Sequence, residues 1–254
     1  MEPLVAYTLR QGDRALVLAQ RLLEVVTHAP EIEEDMALSN LALDLIGQAR
    51  SLYTYAGEID GPAPDGTARD EDHYAYWRDQ HEFLNPLLVE LPNGDFAHVI
   101  GRQFLHDAFA LPYWQAMSSS SDGTLAAIAG KAVKETAYHL RHSRSWVVRL
   151  GDGTDESHAR MQSAIDELWR YTGELFESDD VERTLVESGV AADPGGLHTA
   201  WRATVEAAVT EATLAIPDDG PMQSGGRSGR HTESFSYLLG EMQVVARAHP
   251  GATW

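Results

Sequence analysis

Four ionisable residues lie within segments that otherwise have the composition of buried helices. They are Asp44 in ALDLIGQAR, Asp107 in QFLHDAFA, and Glu135 with His139 in KETAYHLRHS. Because an unpartnered buried carboxylate costs several kcal/mol, we expect these residues to share one polar site inside a helical bundle. Glu135 and His139 are four residues apart, so both point to the same side of a helix. Carboxylates and imidazoles that converge in this way are the ligands of di-iron and di-manganese centres.

The spacing of these residues does not complete such a centre. A di-iron bundle needs a carboxylate from each of two helices and a Glu-x-x-His pair from each of the other two. Tyr138 stands where Glu135 would need its histidine, and Ala110 stands at that place after Asp107. The pairs Asp95-x-x-His98 and Asp155-x-x-His158 have the spacing, but both fall at the starts of predicted helices.

We therefore interpret Asp44, Asp107, Glu135 and His139 as a vestigial polar core site, with no metal and no catalytic residue on this chain. The acids are expected to pair with arginine or lysine, and His139 to be a hydrogen-bonded core histidine. The nearby basic candidates are Lys131, Lys134, Arg102 and Arg141.

A second candidate site is the glycine- and arginine-rich segment SGGRSGRHTE at 224–233. Arg227, Arg230 and His231 supply positive charge, and the glycines allow close backbone approach, so the segment is a candidate partner or phosphate contact. No strand–loop–helix pattern surrounds it, so a nucleotide-binding motif is not indicated. The alternative is a loop that packs before the last helix, with Thr232 and Glu233 capping that helix.

The elements that would position these residues are all helical. Apolar residues recur at spacings of three, four and seven, as Leu38, Leu41, Leu45 and Leu52 do, and no alternating strand pattern occurs. Short connections favour antiparallel neighbours, and the absence of a dividing linker favours a single domain over 1–254. The helices are predicted at 3–27, 32–57, 70–84, 95–117, 124–150, 155–177, 179–188, 195–215 and 233–247, with irregular segments at 57–72 and 217–233.

Composition limits the classes of function. The 254 residues include 43% hydrophobic ones, carry a formal net charge of −20 and contain no cysteine. An acidic surface disfavours nucleic acid and anionic membranes, and no apolar run is long enough for a membrane span. The absence of cysteine excludes disulfides, thiolate metal sites and a cysteine nucleophile. With no signal peptide visible, we expect a cytoplasmic protein.

Six segments together resemble one family, the C subunits of bacterial ring-1,2-phenylacetyl-CoA epoxidases. They cover nearly the whole chain in order: AYTLRQGDRALVLAQRL, ALSNLALDLIGQARSLYTYAGE, FLNPLLVELPNGDFAHVIGRQF, KAVKETAYHLRHSRSWVVRLGDGT, MQSAIDELWRYTGELF and GGRSGRHTESFSYLLGEMQVVARAHPG.

The resemblance implies a ferritin-like helical bundle with additional helices and a role in phenylacetate breakdown. It also implies a homologous catalytic A subunit that holds the di-iron centre, and a reductase with FAD and an iron–sulfur cluster that delivers electrons from NADPH. The chain itself would be a non-catalytic structural subunit without its own cofactor. Other complex subunits and self-association are further expected contacts, through the N-terminal helix, the 224–233 segment or the aromatic-rich segment 73–87.

Two alternatives remain open on the sequence. The first is an independent di-metal oxygenase that uses Asp44, Asp107, Glu135 and His139 in an unusual set. The second is an accessory module that binds acyl-CoA at residues 224–231.

Overall fold

The computed structural model describes residues 2–64 and 66–252, and every regular element in these ranges is helical. The predicted all-α class is therefore confirmed. None of the described helices has the length and apolar content needed to cross a membrane. The helices are α1 (Pro3–Leu23), α2 (Ile32–Asp60), α3 (Glu71–Tyr76), α4 (Phe96–Met117), α5 (Gly123–Gly151), α6 (Asp155–Trp169), α7 (Asp180–Glu187), α8 (His198–Glu211) and α9 (Glu233–Ala248).

Four long helices form the bundle in which the candidate residues lie. α1 packs along α2, α4 packs along α5, and α2 also contacts α5. Because α2 and α4 are each antiparallel to α5, they run in the same direction, so the segment 61–95 must return along the length of the bundle. One long crossover of this kind is the connectivity of a ferritin-like bundle. The expected fold is confirmed, and α3 and α6–α9 are the additional helices.

Helices α1 and α4 are central to the structure. Neighbouring elements cover 17 of the 21 residues of α1 and 16 of the 22 residues of α4. A helix that is buried on all sides has no polar face to place in solvent, so its polar side chains need partners inside the protein. The N-terminal helix was expected to offer a partner contact, but its surface is largely covered by the chain itself.

Several helices begin where short polar side chains cap free backbone N–H groups. The carboxylate of Asp95 accepts from the backbone N–H of His98 at 3.0 Å, which starts α4. Asp122 accepts from Thr124 N at 3.0 Å and Leu125 N at 2.9 Å, which starts α5. Thr154 caps α6 in the same way. The first two of these caps fix the starts of the helices that carry Asp107, Glu135 and His139.

Four of the predicted helices have wrong boundaries, one of them the helix predicted at 195–215, which runs only from His198 to Glu211. The helix predicted at 3–27 ends at Leu23, and Thr27 has the left-handed backbone conformation (φ 75°), which no α-helix continues. The helix predicted at 155–177 ends at Trp169, and a 3-10 turn follows at Gly173–Phe176. The segment 70–84 contains only α3 and the 3-10 turn Gln80–Glu82, because the chain leaves the helix before Arg78, which turns into the core.

Arg78 turns inward to meet Asp13 on α1. Asp13 is fully buried and forms an ion pair with the Arg78 guanidinium. Its carboxylate also accepts the hydroxyl of Tyr53 at 2.5 Å and the backbone N–H of Leu84 at 2.7 Å. Gly12 makes this approach of α1 and α2 possible, since a Cβ there would lie 2.5 Å from the Tyr53 ring. One carboxylate thus joins α1, α2 and the crossover.

We predict that Asp13→Ala lowers the free energy of unfolding by about 3–5 kcal/mol, because it leaves the buried Arg78 guanidinium without its counter-charge. Urea unfolding followed by circular dichroism measures this loss. The matched control is Asp180→Ala, which removes an exposed carboxylate paired with Arg183 and should cost less than about 1 kcal/mol. Equal losses in the two variants would contradict a special role for Asp13.

Candidate functional site

The candidate acids of α2 and α5 meet at the seam between these two helices. His139 Nε2 lies 3.1 Å from Asp44 Oδ2, and Gln48 Nε2 donates to Glu135 Oε2 at 3.0 Å. Lys131 pairs with Glu135 one turn away at 3.3 Å, so the predicted basic partner is present for this acid. For Asp44 the predicted arginine or lysine is absent among the described residues, and its 40% exposed side chain contacts His139 instead. The seam between α2 and α5 lies at the edge of the protein core and is half open to solvent.

Asp107 lies apart from that seam, in a fully buried cluster on α4 and α5. Gln103 Nε2 donates to Asp107 Oδ1 at 2.8 Å, and Ser143 Oγ donates to Asp107 Oδ2 at 3.0 Å. His106 Nδ1 lies 3.2 Å from Asp107 Oδ1. Arg102 was an expected counter-ion, but that prediction was wrong: its guanidinium donates to the Leu91 carbonyl and the Asn93 side chain. Asp107 is stabilised by hydrogen bonds from uncharged groups and by the adjacent imidazole.

The two clusters touch through one side chain. Ser143 Oγ lies 2.9 Å from the backbone carbonyl oxygen of His139 as well as 3.0 Å from Asp107 Oδ2. No direct hydrogen bond or ion pair joins Asp107 to Asp44, Glu135 or His139 in the described residues. The structure therefore divides the four predicted site residues into a buried acid and a half-open seam.

Burial controls the charge of Asp107, His106 and His139. It raises the pKa of Asp107 well above the ordinary aspartate value, although the hydrogen bonds from Ser143 and Gln103 act in the opposite direction. Burial also lowers the pKa of His106 and of His139, the latter despite the neighbouring Asp44 carboxylate. Both imidazoles are consequently uncharged near pH 7, and their contacts with aspartate are hydrogen bonds between a neutral ring and an acid.

This donor set does not fit a di-iron or di-manganese centre. In residues 2–64 and 66–252, no group of three or more His, Cys, Asp or Glu side chains lies close enough to hold a metal ion. The oxygens of Asp107 are engaged by Gln103, Ser143 and His106. Those of Glu135 face Gln48 and Lys131.

The candidate loop at 224–233 is held by carboxylates of the same chain. Glu174, which is fully buried, accepts the backbone N–H groups of Gly225 at 2.9 Å, Arg227 at 3.1 Å and Leu87 at 2.7 Å. A bound anion would use the same backbone donors, so a side chain of the protein already fills this anion-binding geometry. Gly226 is required here, because a Cβ would lie 2.2 Å from the Asn85 carbonyl oxygen.

The three basic residues of the loop have different surroundings. Arg227 pairs with Glu182 and donates to the Glu177 carbonyl at 2.5 Å. His231 is buried and lies 2.7 Å from Glu90 Oε2 and 2.8 Å from the Phe83 carbonyl oxygen. Arg230 is exposed. Two of the three predicted contact residues thus serve the interior of the chain, and Arg230 is the one directed to solvent.

Comparison with known proteins places this arrangement in a family. A family model described as phenylacetic acid catabolic protein matches residues 1–254. The chain belongs to this family. A relative from Escherichia coli (strain K12), named as the C subunit of 1,2-phenylacetyl-CoA epoxidase, is 49% identical over 254 residues, which cover 100% of both chains. The family resemblance seen in the sequence is therefore confirmed.

Sequence reasoning missed four deeply buried acids of this family member. Asp13, Glu90, Glu174 and Glu182 are each at most 2% exposed, and none was a candidate. A signal existed for Glu90, which stands between Val89 and Leu91 in the apolar run LLVEL. Asp13 in RQGDR and Glu182 in DDVER lie among charged and polar neighbours, so nothing in the local sequence distinguishes them from surface acids. Glu174 precedes Leu175 and Phe176, which is only a weak apolar signal.

We predict that Asp107→Asn gains stability relative to the wild type as pH rises. Because the folded-state pKa of Asp107 lies above the unfolded value of about 3.9, its contribution is fully present below a pH of about 3.9 and is lost as pH rises through the folded pKa. Asparagine keeps the hydrogen-bonding shape without this loss. Melting temperatures measured from about pH 4 to about pH 8 test the prediction, with the half-exposed Asp44→Asn as control. A constant difference between wild type and Asp107→Asn across this range would contradict it.

We also predict that Glu174→Gln loosens the 224–233 loop, because a neutral amide has one acceptor oxygen where three backbone N–H groups now meet a carboxylate. Limited trypsin digestion measures this as faster cleavage after Arg227 and Arg230. Glu177→Gln is the matched control, since Glu177 is exposed and near Glu174 in sequence. Unchanged cleavage rates in Glu174→Gln would show that the loop is held by other contacts.

Proposed function

We propose that this chain is the non-catalytic, structural C subunit of a phenylacetyl-CoA epoxidase in aerobic phenylacetate degradation. The observation that carries the proposal is the 49% identity, over the whole of both chains, to a protein named as the C subunit of that enzyme. The family match over residues 1–254 supports the same assignment.

In this proposal the reaction takes place on a homologous A subunit. That subunit would hold the di-iron centre and epoxidise the ring of phenylacetyl-CoA with O2. Electrons from NADPH would come through a reductase with FAD and an iron–sulfur cluster. These cofactors follow from the family resemblance, and this chain would carry none of them.

The hydrogen bonding of the bundle supports a structural role. Gln103 and Ser143 satisfy Asp107, and Gln48 and Lys131 satisfy Glu135, so these acids have partners that rigidify the helices. Buried polar networks whose members are satisfied fix the relative position of helices. A subunit with a rigid bundle of this kind presents a constant surface to its partner.

Two exposed apolar surfaces are candidates for the contact with the A subunit. On α2, Ile32, Met36 and Leu43 are 61–71% exposed and recur at spacings of four and seven. On α9, Tyr237 and Val244 are 69% and 57% exposed. Apolar surface left open on a single chain is typical of a protein–protein contact.

We predict that co-expression of the two subunits gives a stable complex and that the A subunit loses solubility or epoxidase activity without this chain. Size-exclusion chromatography, iron analysis and oxygen-dependent turnover of phenylacetyl-CoA measure these outcomes. A fully active A subunit alone, or about two irons bound to this chain with turnover of its own, would overturn the proposal.

The same experiment locates the contact. Met36→Glu/Leu43→Glu and Tyr237→Glu/Val244→Glu introduce charge at exposed positions, so each double variant should fold, and each serves as the control for the other. We expect one of them to abolish co-purification with the A subunit. Retention of the complex by both variants would exclude these two surfaces as its main contact.

A further inference from the structure

One buried arginine on α1 has no anionic partner. Arg14 is 5% exposed, and its buried Nη2 atom has no hydrogen-bond partner in the described residues. Its guanidinium carbon lies 4.6 Å from the ring centroid of Tyr113 and within 5.5 Å of those of Phe109 and Trp114. Stacking on aromatic faces stabilises a cation by about 2 kcal/mol when it is desolvated, but it provides no acceptor for the in-plane N–H groups.

Two neighbours of Arg14 also have polar atoms without partners. The Nε atom of Arg10 and the Oε1 atom of Gln11 are buried and have no hydrogen-bond partner in the described residues. Arg10, Gln11 and Arg14 all line one small cavity, together with Tyr7 and Tyr113. The Gln11 carbonyl oxygen is the one uncommitted acceptor of this group, and it is neutral and forms no hydrogen bond with Arg14. The cavity therefore has a buried cation at its wall and, among the described residues, no anion paired with it.

The carboxylates that line the same cavity cannot serve Arg14, because their oxygens are already engaged. Glu174 accepts three backbone N–H groups, and Glu182 is held by Arg10 at 2.6 and 2.7 Å and by Arg227. Of the three guanidinium groups in the cavity lining, those of Arg10 and Arg227 are paired with carboxylates, whereas that of Arg14 has no carboxylate within ion-pair distance among the described residues. Asp179 also pairs with Arg10, at 2.5 Å, but it is half exposed and does not line the cavity.

We propose that this cavity binds a small monovalent anion of the halide type beside Arg14. Its volume of about 30 Å³ holds roughly two water-sized particles, which suits a monatomic ion and excludes a phosphate ester or a coenzyme. Water alone would satisfy the N–H donors but would leave the buried charge uncompensated. The inference rests on the interior of this chain and does not depend on the proposed function.

Crystals of the chain grown or soaked with sodium bromide test the site directly. We expect an anomalous bromine peak within hydrogen-bond distance of the Arg14 guanidinium, and the same position to be filled in chloride. A cavity that contains only water at high bromide concentration would overturn the proposal, and this arm needs no variant.

A solution measurement tests whether the ion stabilises the fold. At equal ionic strength, chloride at about ten times its Kd should raise the melting temperature by about 3–6 °C over gluconate, which is too large for the cavity. Arg14→Met should abolish this difference, whereas Arg50→Met, which removes an exposed arginine of the same charge, should preserve it. An equal response in all three proteins would assign the effect to general screening and contradict the site.

Discussion

The structure depends on buried carboxylates that accept backbone N–H groups from segments without regular structure. A buried N–H without an acceptor costs about as much as a lost hydrogen bond, so irregular chain can be packed against a bundle only where acceptors are supplied. Asp13 supplies one for Leu84, Glu90 for Thr232, and Glu174 for Leu87, Gly225 and Arg227. These three acids hold the crossover segment 61–95 and the 224–233 loop in place.

The same constraint separates two groups of acids in this structure. Asp44 and Glu135 join two helices at a half-open seam, where water can solvate part of each side chain. Asp13, Glu90 and Glu174 have no contact with solvent and instead depend on arginine, histidine or backbone partners. The first group sets the register of α2 and α5, whereas the second determines where non-helical chain can lie.

The fold class could be predicted from the sequence because apolar spacing and helix caps are local features. Leu38, Leu41 and Leu45 are all buried on one side of α2, as their spacing predicts. The partners of the acids could not be predicted, because they come from distant parts of the chain: Asp13 meets Leu84, and Glu174 meets Gly225. The separation of Asp107 from the Asp44–His139 seam also depends on how α4 is rotated about its own axis. The sequence of α4 does not show this rotation, because the helix is buried on all sides and has no polar face.

The position of the loop donors has a consequence for synthesis of the chain. Glu90 and Glu174 receive N–H groups from residues 225–232, which leave the ribosome long after α1, α2 and the crossover have done so. Until then the Glu90 carboxylate has Asn85 as a partner and Glu174 has Leu87, but the donors from residues 225–232 are missing, so the packing around both acids is incomplete. Completion of the packing around Glu90 and Glu174 therefore follows the synthesis of residues 225–232, and the incompletely packed intermediate is the form that chaperones would meet before that point.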